Sequence, residues 1–307
     1  MLLAEGRHIY DQPMGRVVSE RMVTRFQAGG RASRRRDSLV GEEPLEIRLD
    51  GSPLSVTMRT PGNDYELAAG FLVSEGVLTG KSQFGGAEYC RGSEAEGPNP
   101  FNVLNVLTGP GAGPVPAGLE RNFYVTSSCG VCGKSSIDAV ERASAFDPAG
   151  DRVGIELERL LGMAGRLRES QSVFEKTGGL HGAAIFDADS GELLATREDV
   201  GRHNAVDKVI GWALLEDLLP LTGCVLQVSG RASFELVQKA KMAGIPIFSA
   251  VSAPSSLAVE LAVSSGITLA GFARGESLVA YSRPDRIRTG SEPSKGESSE
   301  LPRELAR

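Results

Sequence analysis

Two thiols, Cys129 and Cys132, stand in a stretch of small residues, Thr126-Ser127-Ser128-Cys129-Gly130-Val131-Cys132-Gly133-Lys134-Ser135-Ser136. The apolar run Phe123-Tyr124-Val125 leads in, and Ile137, Val140 and Ala143, each three residues apart, predict a helix behind it. A helix N-terminus and a nearby lysine both stabilise thiolate, the reactive form of cysteine. Three chemistries suit such a pair. A persulfide carrier needs one nucleophilic thiolate on a small-residue loop. A dithiol oxidoreductase needs both thiols, because it cycles through a disulfide. A zinc site needs three or four ligands, and His181 and His203 would have to complete it at spacings that are not diagnostic. The chain has four cysteines; Cys90, in a glycine-rich stretch, and Cys224, in an apolar run, read as inert.

Three further segments could hold an anion. They are Ser229-Gly230-Arg231, Ser252-Ala253-Pro254-Ser255 and Phe272-Ala273-Arg274-Gly275-Glu276-Ser277. Each follows an apolar run that reads as a strand, and ligands of open α/β sheets bind beyond the carboxyl ends of the strands. Small residues let a ligand approach the backbone, and Arg231 and Arg274 supply forks suited to phosphate. Ser255 opens a helix, whose free N–H groups favour an anion.

The run Glu198-Asp199-Val200-Gly201-Arg202-His203-Asn204-Ala205-Val206-Asp207-Lys208 is dense in ionisable and polar groups at a predicted helix start. Here Asp199 is expected to pair with His203 and orient its imidazole. His181, among glycines in Thr177-Gly178-Gly179-Leu180-His181-Gly182, is placed to line a cleft or to serve structure alone.

These groups need a frame. Cys224-Val225-Leu226-Gln227-Val228, a helix over 233–243, Ile245-Pro246-Ile247-Phe248-Ser249-Ala250-Val251, a helix over 255–264 and Ile267-Thr268-Leu269-Ala270-Gly271-Phe272 read as β-α-β-α-β. Parallel pairing with right-handed crossovers follows. Leu236, Val237 and Ala240 are expected inward on the first helix, and Leu257, Ala258, Leu261 and Ala262 on the second. A hairpin (183–186 and 192–195) and a helix over 204–219 precede this unit. Nearer the N-terminus, alternating Leu45, Ile47, Leu49 and Leu54, Val56, Met58 flank Asp50-Gly51, a hairpin signature. A helix through Leu67, Ala68, Phe71 and Leu72 follows, with Asp64 as expected N-cap. Residues 85–100 read as loop, 101–107 as strand, and the Gly/Pro-rich 109–118 as linker.

The fold class is therefore α/β (α+β overall), divided as a disordered basic tail over 1–41, an N-terminal α+β domain over 42–120, a three-layer C-terminal domain over 121–288 and a tail over 289–307. A net charge of -6 gives no support for nucleic-acid binding. No apolar run is long enough for a membrane span, and the first residues lack the apolar stretch of a signal peptide, so a cytoplasmic protein with reduced thiols is expected.

The run Ser128-Cys129-Gly130-Val131-Cys132-Gly133-Lys134 resembles the hallmark of the formate dehydrogenase accessory sulfurtransferases, the FdhD family. The resemblance extends, in order, through 177–184, 198–208, 229–231 and 249–255, and spans about residues 43–288. It implies a protein that takes sulfur from a cysteine desulfurase as a persulfide. The sulfur goes to the molybdenum cofactor, as bound Mo-bis(molybdopterin guanine dinucleotide), needed by formate dehydrogenase. Cys129 is the implied persulfide carrier and Cys132 a second thiol that relays or protects sulfur. The implied cofactor segment matches Phe272, Ala273, Arg274, Gly275, Glu276 and Ser277, one of the strand ends chosen above on physical grounds. Arg231, Ser252, Ser255 and His203 complete the expected cofactor rim. The resemblance also implies a cytidine deaminase-like C-terminal domain and a homodimer. Gly182 and Ala183 follow His181 where deaminases carry a His-x-Glu zinc motif, so no metal site is expected. Two rivals stand beside this reading: a non-catalytic molybdenum-cofactor chaperone, which would bind with both cysteines replaced, and the dithiol oxidoreductase.

Overall fold

The computed structural model describes residues 17–90, 101–115 and 144–290. Cys129, Cys132, the helix expected behind them and most of the C-terminal tail lie outside the described residues. The described part opens on a two-stranded ribbon, β1 (Val18–Gln27) and β2 (Arg31–Val40), paired antiparallel from Val18↔Val40 to Gln27↔Arg31. Part of the region expected as a disordered tail is thus regular strand. Gly29 and Gly30, both at positive φ, turn the chain, and Glu20 meets Arg36 across the strands at 3.3 Å. Sequence patterning failed here because both faces of the ribbon are exposed, so no apolar alternation marks it.

Next come β3 (Glu43–Leu49), β4 (Ser52–Arg59), α1 (Asp64–Ser74), β5 (Phe84–Tyr89) and β6 (Val103–Thr108), in a four-stranded sheet of order β4-β3-β6-β5. The Asp50-Gly51 hairpin is present, with both residues at positive φ as its tight turn requires. A register shift after Ile47 breaks the alternation in β4: Leu54 is buried, Met58 is exposed and Arg59 is fully buried. Residues 85–89, expected as loop, belong to the strand β5, which closes on β6. Gly85 is needed there because a Cβ would meet the β6 carbonyls at 3.0 Å. Asp64 does not cap α1. The cap position is Asn63, in left-handed conformation without a side-chain bond, while the Asp64 carboxylate takes a fork from buried Arg59 and a bond from the Tyr89 hydroxyl.

The second sheet has six strands in the order β13-β12-β11-β10-β8-β9. These are β8 (His181–Asp187), β9 (Leu193–Asp199), β10 (Cys224–Val228), β11 (Ile247–Ala250), β12 (Thr268–Arg274) and β13 (Ser277–Ser282). Strands β10, β11 and β12 are parallel, joined through α5 (Phe234–Met242) and α6 (Ser256–Ser264), as the sequence pattern predicts. The short pair β7 (Ile155–Glu156) and β14 (Ile287–Arg288) ties the two ends of this region together.

Alternation along the strands sorts two cores. Ala184, Phe186, Val225, Ile247 and Ala270 face Leu160, Met163 and Leu167 of α2 (Leu157–Ser170), which is followed by the short α3 (Ser172–Thr177). Ile185, Leu226 and Phe248 face the other layer, built from α4 (Arg202–Leu215), α5 and α6, and this core runs on into Leu67, Leu45 and Leu104 of the smaller sheet's side. Leu236, Val237 and Ala240 point inward as expected. Leu257 does not: it is 53% exposed, in the first turn of α6 where the sheet end opens.

The two regions meet where α1 crosses α4. A Cβ on Gly70 would lie 1.8 Å from the Asp207 carbonyl oxygen, and one on Gly211 1.8 Å from that of Glu66. Only glycine permits such an approach of two backbones. Behind the crossing, the Asp207 carboxylate accepts from Ser74 Oγ at 2.7 Å and from Lys239 Nζ of α5 at 2.7 and 2.8 Å.

Candidate functional site

The carboxyl ends of β10, β11 and β12 and the start of antiparallel β8 share one end of the sheet. Ser229 locks two of them: its N–H donates to the Gly182 carbonyl, and its Oγ accepts from the Gly182 N–H at 2.9 Å. The imidazole of His181 lies against Gly230, whose missing Cβ would sit 3.6 Å from Nδ1. The turns after β10 and β11 join through an Ala232↔Pro254 bridge and a bond from the Ser255 N–H to the Ala232 carbonyl. The third strand closes the rim. The Phe272 N–H donates to the Ser252 carbonyl, and a Cβ on Gly271 would meet Pro254 and Tyr281 at 3.0 Å. Arg231, Ser252, Ser255 and Phe272 are therefore brought together as the sequence suggests.

Two details differ. The segment from Phe272 to Ser277 is not a plain strand-end loop. Arg274 pairs with Ser277 across a two-residue turn at Gly275-Glu276, so β12 runs on into an antiparallel hairpin. Arg274 thus stands on a hairpin tip beyond the sheet end. Ser255 caps α6 by accepting from the Ala258 N–H, so its hydroxyl is already engaged and only the remaining first-turn N–H groups face outward.

Phe272 is the odd residue of the rim. It is 39% exposed and holds φ at 52°, a left-handed conformation that is strained for a bulky side chain. Such strain gathers at ligand-binding sites. The cations of the rim are open: Arg231 and Arg274 are exposed. Arg202, at the first turn of α4, has a buried Nε–H with no acceptor among the described residues. Its charge is also close enough to act on His181, whose imidazole is held below its ordinary affinity for protons by burial first, then by Arg202 and His203.

The expected Asp199–His203 pair is not formed. Asn204 and Lys208, four apart, lie on one face of α4 and turn to Asp199, whereas His203 is rotated by roughly 100° about the helix. Asp199 is fully buried. It accepts from Thr60 N–H, Gly201 N–H and Asn204 Nδ2 at 2.8–3.1 Å and pairs with Lys208 Nζ at 2.7 Å. His203 instead faces the start of α5, with Nε2 3.4 Å from Ser233 Oγ and 3.6 Å from Glu235 Oε2. The imidazole is the main cause that draws the Glu235 carboxyl down to about 2. Ser233 and Glu235 were not singled out from the sequence; their place in the first turn after Ser229-Gly230-Arg231 is the signal that marks them. Cys224 is inert by environment, since burial pushes its thiol up to about 12.

This arrangement can hold an oxyanion between guanidinium groups and helix N–H groups, with an exposed aromatic ring beside it. Among the described residues, no helix is long and apolar enough to cross a membrane.

The FdhD/NarQ family model matches residues 40–288. The chain is 57% identical over 276 residues to the sulfur carrier protein FdhD of Streptomyces coelicolor, covering 89% of this chain and 97% of that one. It is 53% identical over 277 residues to the sulfur carrier protein FdhD of Mycobacterium tuberculosis, covering 89% and 100%. Among solved structures, a protein described as a formate dehydrogenase accessory protein from Desulfotalea psychrophila has the same fold, with a TM-score of 0.69 at 23% identity, over 89% of this chain and 100% of that chain.

Proposed function

Since this chain belongs to the FdhD/NarQ family, we propose that it is a sulfur carrier serving a formate dehydrogenase. The observation that carries this reading is identity above one half, over nearly the whole chain, to proteins named sulfur carriers. Cys129 holds the sulfur as a persulfide received from a cysteine desulfurase, and Cys132 relays or protects it. The acceptor is the molybdenum cofactor in its bis(molybdopterin guanine dinucleotide) form, and the chain works as a cytoplasmic homodimer.

The rim residues suit the guanine dinucleotide part of that acceptor. Arg231 and Arg274 are exposed and Arg202 keeps an unused buried Nε–H, so anionic oxygens find donors already in place. Phe272, exposed and held in a strained conformation, offers a face for a purine. The mixed order, a hairpin beside three parallel strands with two crossover helices, supports a cytidine deaminase-like type for the C-terminal domain. We also retain the division near residues 109–118 as a domain boundary.

Intact-mass measurement after incubation with a cysteine desulfurase and cysteine tests the carrier assignment. The wild-type chain gains one sulfur atom and Cys129→Ala gains none, while Cys132→Ala keeps part of the loading. Equal and complete loss of function in both variants would favour a dithiol mechanism, and full client activation by Cys129→Ala would remove Cys129 from the role.

A further inference from the structure

The opposite end of the six-stranded sheet carries a second arginine-rich concavity. A cavity of about 470 Å³ is lined by Arg152, Arg283, Arg286 and Arg288, with Asp151 and Asp285 as its acids. It is far from the strand carboxyl ends in topology, because Arg286 bonds the carbonyls of Pro246 and Gly266, one and two residues before the starts of β11 and β12. The short strands β7 and β14 frame it through Ile287↔Ile155 and Arg288↔Glu156.

The arginines of this cavity are not equally satisfied. Arg283 forks onto Asp285, and Arg288 pairs with Glu156 at 2.9 Å. Arg286 is only 3% exposed, yet it has no carboxylate contact among the described residues. Its two terminal nitrogens donate to the carbonyls of Pro246, Gly266, Pro148, Ala149 and Asp151. Its Nε–H is buried without an acceptor among the described residues. A buried guanidinium is normally matched by an anion, because carbonyl dipoles alone leave its charge uncompensated. Burial, and after it the neighbouring Arg283, lower the proton affinity of Arg286 accordingly. Arg152, at the mouth, is exposed and has no partner among the described residues. Asp151 and Asp285 act on Arg286 from a distance and raise its proton affinity in part, but neither carboxylate contacts it among the described residues, and the Asp151 oxygens accept from the Val153 and Gly223 N–H groups.

The backbone of the mouth is held in an unfavourable shape. Arg283 is left-handed, at φ 46° and ψ 55°, immediately before Pro284. A non-glycine residue in that region is uncommon, and a following proline disfavours compact conformations further. What holds it there is the contact set of the cavity itself: the Arg283 carbonyl accepts from Thr268 Oγ1, and its guanidinium reaches Asp285.

We propose that this cavity is a second anion-binding site, which takes a phosphate or carboxylate group between Arg152 and Arg286. It is independent of the carrier function proposed above and of the rim at the other end of the sheet. Calorimetric titration of the full chain with inorganic phosphate, and separately with citrate, tests it. In Arg274→Ala, which weakens the rim, one saturable site for at least one probe remains. In Arg152→Ala/Arg274→Ala that binding weakens by about tenfold or more, as loss of one charged contact implies. Arg152 is exposed, so its removal leaves the melting temperature unchanged and the loss cannot be ascribed to misfolding. Tighter binding of phosphate identifies the group as phosphate, and tighter binding of citrate identifies it as carboxylate. If neither probe binds Arg274→Ala, or if the double variant binds as well as Arg274→Ala, the cavity is not an anion site.

Discussion

Along one end of the six-stranded sheet, two neighbourhoods use charge in opposite ways. At the β9 margin, Asp199 divides its two oxygens among four donors, and Lys208 is buried against it. At the β10–β12 margin, Arg231 and Arg274 stand exposed, and Arg202 keeps an Nε–H without an acceptor among the described residues. The first neighbourhood is closed chemistry: each group is consumed in holding β4, α4 and β9 together. The second is open: its arginines are exposed or carry a donor without an acceptor among the described residues. One contiguous motif, residues 198–208, feeds both, and the pitch of α4 does the sorting. Asn204 and Lys208 turn to the closed side, and Arg202 and His203 to the open one. A dense run of polar residues is therefore no guide to function until it is wound on a helix.

The contrast predicts unequal responses to substitution. The largest effect is expected on the closed side. Lys208→Ala leaves the Asp199 carboxylate buried without its cation, which costs about 3–5 kcal/mol. Urea denaturation measures this, and the folded fraction should bind guanine nucleotides as the wild type does. A loss below about 1 kcal/mol would mean that the remaining donors suffice, and the two neighbourhoods would differ less than the geometry indicates.

On the open side, Arg274→Ala should leave stability unchanged and weaken guanine-nucleotide binding by about ten- to a hundred-fold, from the loss of a charged hydrogen bond of about 1.5–3 kcal/mol. Titration calorimetry reads it. Unchanged affinity would move the anion contact to Arg231 and the turn from Ser252 to Ser255.

The smallest effect lies on the boundary, at His181, which pairs across the sheet with Asp199 and also borders Gly230. Burial, then Arg202 and His203, hold its imidazole below the ordinary 6.5. The unfolded chain therefore takes up the proton first as the medium becomes acid. The stabilising contribution is whole above that value, falls as pH drops below it, and levels off once the folded imidazole is protonated too. Denaturation midpoints followed from about pH 7.5 down to about pH 5.5 should fall more steeply for the wild type than for His181→Gln. Parallel slopes would show that the ring is better solvated than its surroundings indicate.

Much of this frame was legible in the residues, and the illegible parts share a cause. Leu236, Val237 and Ala240 announced a buried helix face because local spacing dictates it, and the β-α-β-α-β unit followed from the same kind of signal. The rim residues were legible because strand ends are local features. The closed cluster was not, since Thr60 and Asp199 are far apart in sequence and their meeting depends on how the two sheets pack. The ribbon of β1 and β2 was missed for the reason that β3 was found: alternation reports a buried face, and the ribbon has none. The exposed Leu257 and the bulge after Ile47 show the limit of periodicity alone, because one inserted residue or one open end reverses what faces inward.

The glycine crossing of α1 and α4 bears on how the molecule can move. Sliding between packed helices usually proceeds by small rotamer adjustments along the contact. Where Gly70 and Gly211 meet the carbonyls of Asp207 and Glu66, there are no side chains to adjust. The two helices have no slack at that point, so the close crossing resists sliding of the smaller sheet against the larger one. Movement at the rim is then left to the parts this crossing does not reach, the β12–β13 hairpin tip and the turns after β10 and β11.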